Sequence, residues 1–214
     1  MAQHLKPDVQ DRIVNSALTQ FAQGGFHGVT MAQIAEGAGL STGNLYHYYR
    51  DKSDLFHALI PKEFVATLLD LMRRRIRLLQ AMKDSAPNVD PPDQHLIAEE
   101  LLEFFIEHRC RIVILLGGSQ GTKYESFANE FSQILIMLAL AHFQASEQAV
   151  GVSSQALRYS LDQIYQNFSS TIVNIFRHFT SEDDIRYSME RFSRYHTSGL
   201  IGLFGNDPKR SLAG

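Results

Sequence analysis

The stretch Thr30-Met-Ala-Gln-Ile-Ala-Glu-Gly-Ala-Gly-Leu-Ser41-Thr-Gly-Asn-Leu-Tyr-His-Tyr-Tyr-Arg-Asp-Lys52 decides the fold. Two hydroxyl residues, Thr30 and Ser41, each stand just before a short run of helical spacing, where a side-chain oxygen can accept from an unpaired N–H of the first turn. Between the runs, Gly39 suits a tight turn with positive φ. Ala35 is small where two helices must cross closely, and Ile34, Leu40 and Leu45 supply a miniature core. Together these features spell a helix-turn-helix. The second helix carries Thr42, Gly43 and Asn44 at its front and Tyr46, His47 and Tyr48 behind. Short groups first and longer donors after suit a helix end that must approach base edges and phosphates. An aromatic stripe alone would be read as core; the caps and the glycine turn outweigh that reading.

Working outward, apolar residues recur at three- and four-residue steps and strand-like alternation is nearly absent, so the chain is expected to be all-α. A first helix begins near Pro7, lines Val9, Ile13, Ala17 and Phe21 on one face, and stops at Gly24-Gly25. After the quoted stretch, one long pattern runs from Ser53 to about Met82, kinked at Pro61, and ends in a Pro-rich break from Ser85 to Pro92. Further helices are expected over Asp93 to His108, Arg111 to Leu116, Tyr124 to Val150, Ser154 to His178 and Ser181 to Phe204, with a loose tail after Gly205. The natural partition is a small helix-turn-helix domain, residues 1–52, and a larger helical domain, residues 53–214. No internal repeat of fixed period is present.

Of 214 residues, 44% are hydrophobic and 20% charged, enough for a substantial core. The net charge of −3 means that any nucleic-acid contact must come from a local surface. Even residues 1–52 balance Lys6, Arg12, Arg50 and Lys52 against Asp8, Asp11, Glu36 and Asp51, so a modest salt dependence is expected. A single cysteine, Cys110, excludes an intrachain disulfide and fits a reducing, cytoplasmic setting. The charged N-terminus has no signal-peptide stretch. The longest apolar run, Ile134 to Ala141, is far shorter than the roughly 18 residues of a membrane span. None of the nine histidines pairs at i, i+3 or i, i+4, so neither a metal site nor a cofactor is expected.

One competing signal needs weighing. Gly117-Gly118-Ser119-Gln120-Gly121 fits the nucleophile elbow of serine hydrolases, with Ser119 as nucleophile, if Arg111 to Leu116 were a strand. No second convincing strand exists, so a short buried helix ending in a Gly-rich turn is preferred. A helical interaction module is the other alternative. The basic run Arg73-Arg74-Arg75-Ile76-Arg77 reads as a solvated helix face that bonds acidic partners.

Over about residues 8 to 60 the chain resembles the TetR family of bacterial regulators, through Thr30, Ser41-Thr-Gly-Asn-Leu-Tyr-His-Tyr-Tyr49 and Lys52, aligned without a gap. The resemblance implies contacts to double-stranded DNA from Thr30, Ser41, Thr42, Gly43, Asn44, Tyr46, His47, Tyr48 and Lys52, with Leu45 and Tyr49 facing inward. Thr42 stands where many relatives carry Lys, and Tyr49 where Phe is usual. The resemblance further implies a repressor that binds a palindromic operator as a homodimer, and a C-terminal domain that binds a small-molecule effector and dimerises through the last two long helices, about 154–178 and 181–204. The broad stripes Leu157, Leu161, Ile164, Phe168, Ile172, Ile175, Phe179 and Ile185, Met189, Phe192 suit helices with partners on more than one side. Effector contacts are expected among Phe104, Phe105, His108, Phe127, Phe131, Tyr165 and Asn167, coupled to the reader through the long helix from Ser53.

Overall fold

The computed structural model describes residues 6–81, 92–142 and 154–204. The interior of the Pro-rich break, the end of the helix expected to reach Val150 and the tail lie outside the described residues. Within them the protein is all-α, with no strand.

Helix α1 (Pro7–Gly28) opens with proline in its first turn beside Asp8, where a missing N–H costs nothing and a carboxylate meets the positive end of the dipole. Val9, Ile13, Ala17 and Phe21 are buried along it. The glycine pair interrupts this helix and does not end it. Gly25 sits at φ 68°, outside helical geometry, and the next N–H, that of Phe26, donates to the Gly118 carbonyl at 2.8 Å. The chain then makes one further turn.

Next come α2 (Met31–Gly37), α3 (Thr42–Tyr48), α4 (Lys52–Leu59) and α5 (Lys62–Ala81). The expected long helix from Ser53 is thus two helices. The α4 ladder closes with the Ile60 N–H donating to Phe56 O, and Ile60 turns to φ −118°, ψ 71°. A residue before proline is pushed out of the helical region by the ring, so Pro61 breaks the pattern where a kink was expected.

The remainder is α6 (Pro92–Glu107), α7 (Arg109–Gly117), α8 (Phe127–His142), α9 (Ser154–His178) and α10 (Glu182–Phe204). Helix α10 starts with Glu182, Asp183 and Asp184, and α9 ends with Arg177 and His178, each set matching its end of the helix dipole. In α7 all five residues from Ile112 to Leu116 are buried, as expected of a helix enclosed on all sides. It is the post around which α1, α8 and α9 pack. One apolar core runs continuously from α1 to Ile185 and Met189 on α10, and a second cluster joins Ile136, Leu157, Leu161, Tyr165 and Leu200 across α8, α9 and α10.

This placement of α7 corrects the hydrolase alternative. Ser119 follows a helix, not a strand, and is 2% exposed. Its hydroxyl lies 3.1 Å from Leu115 O and 2.8 Å from Tyr124 O, pinning the turn between α7 and α8. An elbow nucleophile must stand exposed at a strand-to-helix turn, and Ser119 does not. In the basic run, Arg74 pairs with Glu100 at 3.2 Å and Arg77 with Asp70 at 3.5 Å.

Helix α1 and the end of α7 meet at a close backbone joint. A Cβ on Gly118 would lie 3.2 Å from both Gly25 Cα and Phe21 O, tighter than ordinary contact, so only glycine lets α1 and the end of α7 approach this closely. Beside it, Arg177 Nε on α9 donates to Ala22 O at 2.9 Å.

Candidate nucleic-acid interface

The helix pair is locked locally before it is packed. Thr30 Oγ1 accepts from Gln33 N at 3.3 Å while Gln33 Oε1 accepts from Thr30 N at 2.8 Å, a reciprocal capping box that satisfies two otherwise unpaired donors. Gly39 takes φ 67° in the turn, which lets Leu40 N donate back to Ala35 O at 2.8 Å. Ser41 Oγ then caps α3 by accepting from Asn44 N at 3.2 Å. From α1, Ser16 Oγ donates to Ile34 O at 2.8 Å and Arg12 to Ala38 O at 3.1 Å, fixing α2 across the first helix.

Leu45 is fully buried and Tyr49 is 7% exposed, so both face inward. Gly43, Asn44, Tyr46 and His47 are exposed, and Thr42 and Tyr48 are half-buried. The Tyr48 hydroxyl accepts from the Lys6 N–H at 3.3 Å, tying the start of α1 to α3. No atom lies within 4 Å of where a Gly43 Cβ would stand, so this position opens directly to the outside. Six of the nine expected contact residues therefore lie on α3, which is anchored by Leu45, with Thr30 and Ser41 at the two caps.

Lys52 stands apart from the set. Its ammonium donates to Phe26 O at 2.7 Å and Val29 O at 2.8 Å and lies 4.5 Å from the centre of the Phe26 ring. Two of its three N–H groups are committed to the end of α1, and α4 is thereby tied to that end. Arg50 pairs with Asp51 at 3.0 Å. Asp51 also caps α4 by accepting from Asp54 N at 2.7 Å. That backbone bond, followed by the Arg50 bond, holds its carboxyl below the ordinary range. With Arg12 on a carbonyl, three of the four basic side chains of residues 1–52 are engaged within the unit.

In the larger unit the expected effector residues divide. Phe105 and Phe131 line a cavity of about 340 Å³, together with Met72, Leu135, Leu138, Phe168, Ile172 and Met189. The Phe104 ring stacks on Phe64 at 5.3 Å with His108 edge-on at 4.6 Å, in a separate cluster that Arg111 covers. Burial, with a smaller effect from the Arg111 charge, pushes the His108 imidazole below its ordinary value against the pull of Glu107. Phe127 is buried behind Phe131. Tyr165 packs against His196 at 5.2 Å, and Asn167 is exposed. None of these five is among the residues that line the cavity. The lining residues that sequence reasoning missed are inward members of amphipathic helices, and nothing in their spacing separates cavity wall from filled core.

Comparison with known proteins bears on the first of these two sites. Residues 13–59 match the family described as bacterial regulatory proteins, tetR family. Over 68 residues the chain is 35% identical to the HTH-type transcriptional regulator BetI of Escherichia coli (strain K12 / DH10B), a match covering 32% of this chain and 34% of BetI. Against BetI of Klebsiella pneumoniae (strain 342) it is 32% identical over 75 residues, 35% of this chain and 38% of that one. The chain thus matches little more than a third of the length of these relatives. Among solved structures, NalD of Pseudomonas aeruginosa, the secondary repressor of the MexAB-OprM multidrug efflux pump, superposes with a TM-score of 0.37 at 20% identity, over 87% of this chain and 95% of NalD. The N-terminal unit, from within α1 to the end of α4, is thus the part of this chain that is similar to the tetR family of bacterial regulatory proteins.

Proposed function

We propose that the protein is a ligand-responsive, homodimeric DNA-binding repressor of the cytoplasm, with a reader in residues 1–52 and an effector-binding and dimerising domain in residues 53–214. The observation that carries this reading is the exposed side of α3, where Gly43 and Asn44 precede Tyr46 and His47 on a helix whose other side is anchored by Leu45. Entering a major groove by its N-terminal end, α3 presents Thr42, Gly43 and Asn44 to base edges. Tyr46, His47, Tyr48 and the caps Thr30 and Ser41 are left to reach the flanking phosphates. Because three of the unit's four lysine and arginine side chains are engaged internally, shape and hydrogen bonding carry more of the affinity than charge does.

A dimer supplies a second α3, spaced about one helical turn (roughly 34 Å) or a multiple of it from the first on a palindrome. The surface that suits dimerisation lies on α9 and α10, where Tyr159, Tyr187, Tyr195 and Ile201 are exposed. No helix among the described residues is long and apolar enough to cross a membrane, which supports the cytoplasmic placement.

The cavity is the proposed effector site. Its walls include Phe131 on α8 and Ile172 on α9. The same α9 holds Ala22 through Arg177, and α7 holds α1 through the bond from Phe26 to Gly118. A ligand that favours a different placement of α9 therefore moves the end of α1, and Lys52 carries α4 with it. This is linkage between two sites through one packed joint. Selection of bound duplexes from a random pool tests the reading. Recovery of a palindrome with two half-sites is the expected result, and recovery of no consensus contradicts it.

A further inference from the structure

Among the described residues, the charged lining of the cavity is of one sign. Its interior is apolar and aromatic, and its polar members are Glu99 on α6 and Glu190 and Ser193 on α10, all three exposed and so placed at the mouth. Among the described residues no basic side chain lines it. Arg186 on α10 is already held by Glu99 at 2.6 Å, Glu182 at 2.8 Å and Glu103. Glu190 pairs with Arg194 at 2.8 Å. Among the described residues, Glu99, Glu103, Glu182 and Glu190 thus share two guanidiniums, an excess of two carboxylates in these pairs, and Glu99 and Glu190 are the two that line the cavity.

We infer that the cavity takes a lipophilic monocation, an alkyl or aryl ammonium whose apolar body lies among Phe105, Phe131 and Phe168 while its charge rests at the mouth beside Glu99 and Glu190. This inference rests on the reading of the cavity as the effector site. A carboxylate-headed amphiphile of the same length would set its anion against the acidic mouth with no basic side chain among the described lining residues to receive it, at the cost of an uncompensated charge. Aromatic faces attract a cation through their quadrupole, and the thioethers of Met72 and Met189 adapt to the shape of an apolar body. A volume of about 340 Å³ lies at the lower end of the range for small-ligand pockets, which suits one slender molecule.

The test is calorimetric titration of the full chain with three matched probes below their micellar concentrations: octyltrimethylammonium, octanol and octanoate. The cation is expected to bind about tenfold more tightly than the anion, with octanol between, and the gap should narrow as salt screens the exposed mouth. In Glu190→Gln, and further in Glu99→Gln with Glu190→Gln, the cation should lose its advantage while octanol affinity is unchanged. Leu135→Trp, which fills the interior, should abolish binding of all three. Octanol binding with no preference for the cation overturns the inference while leaving the effector site intact. Failure of every probe to bind the native chain overturns both, and cation binding that survives Leu135→Trp places the site elsewhere and overturns the inference.

Discussion

The α1 to α4 unit and the α9–α10 pair are both amphipathic helices, yet they finish differently. In the first, Ile13, Ala17, Phe21, Ile34, Leu45, Leu55 and Phe56 are all essentially inaccessible, and what remains outside on α3 is glycine, amide, imidazole and one tyrosine ring. In the second, Tyr195 is 77% exposed, Tyr159 67% and Ile201 54%. The reader closes its core within one chain, while the C-terminal pair leaves apolar surface of the kind that marks an association site. The reader's outward side chains are spare to packing, whereas those of α9 and α10 are the surface on which the proposed dimer would form.

The contrast breaks most visibly in the reader's core. Phe21→Ala removes a buried ring that packs against Phe26 and Phe56 and should cost about 3–5 kcal/mol in denaturant unfolding; a loss below about 1 kcal/mol would mean that the core is not closed. On the other side, Tyr195→Glu with Ile201→Glu should weaken dimerisation by about 2–4 kcal/mol in sedimentation equilibrium, with the helical signal retained. An unchanged dimer would move the interface off this face.

Lys52→Met sharpens the boundary between packing and recognition. Loss of two charge-assisted bonds to Phe26 O and Val29 O should lower stability by about 1.5–3 kcal/mol and leave the salt dependence of DNA binding unaltered. A salt slope smaller by about one, at unchanged stability, would instead make Lys52 a phosphate contact. Asn44→Ala should weaken DNA binding by about 1–3 kcal/mol and relax sequence preference with no change in thermal midpoint.

The smallest effect is expected at His196, whose Nε2 has no hydrogen-bond partner and whose ring packs against Phe168, Tyr165 and Phe192. Burial holds this imidazole below its ordinary value. The favourable neutral form is therefore fully present above about pH 6.5. Stability declines below that, as the unfolded chain takes up the proton first, until the folded value is passed. Melting curves from about pH 7 to about pH 5 should show this decline, and His196→Phe should reduce it. His108, shifted in the same direction, leaves a residual slope.

Legibility in the sequence followed the range of the interaction concerned. Thr30, Ser41 and Gly39 were readable because a cap and a positive-φ turn are settled within four residues. The burial of Leu45 followed from period alone. Pro61 was seen, but how completely it breaks the helix depends on Ile60, which a periodicity argument passes over. Gly24-Gly25 was read as a stop because its purpose, the approach to Gly118, lies far away in sequence. Resemblance assigns Lys52 to DNA, and only the fold reveals the two carbonyls it meets. The cavity was least legible: Phe105 and Phe131 were named among its residues, but Leu135, Ile172 and Met189 look in sequence like any core-facing positions.

In the proposed dimer, two copies of α3, held at fixed spacing by α9 and α10, read two half-sites on one face of a duplex. Fluorescence anisotropy on the selected palindrome, and on the same duplex with about five base pairs inserted between its half-sites, tests this directly, because the insertion turns one half-site by about half a helical turn. The expected result is strong binding to the first and affinity near the nonspecific level for the second, about 1,000-fold weaker or more. Equal affinity for both duplexes would contradict the claim.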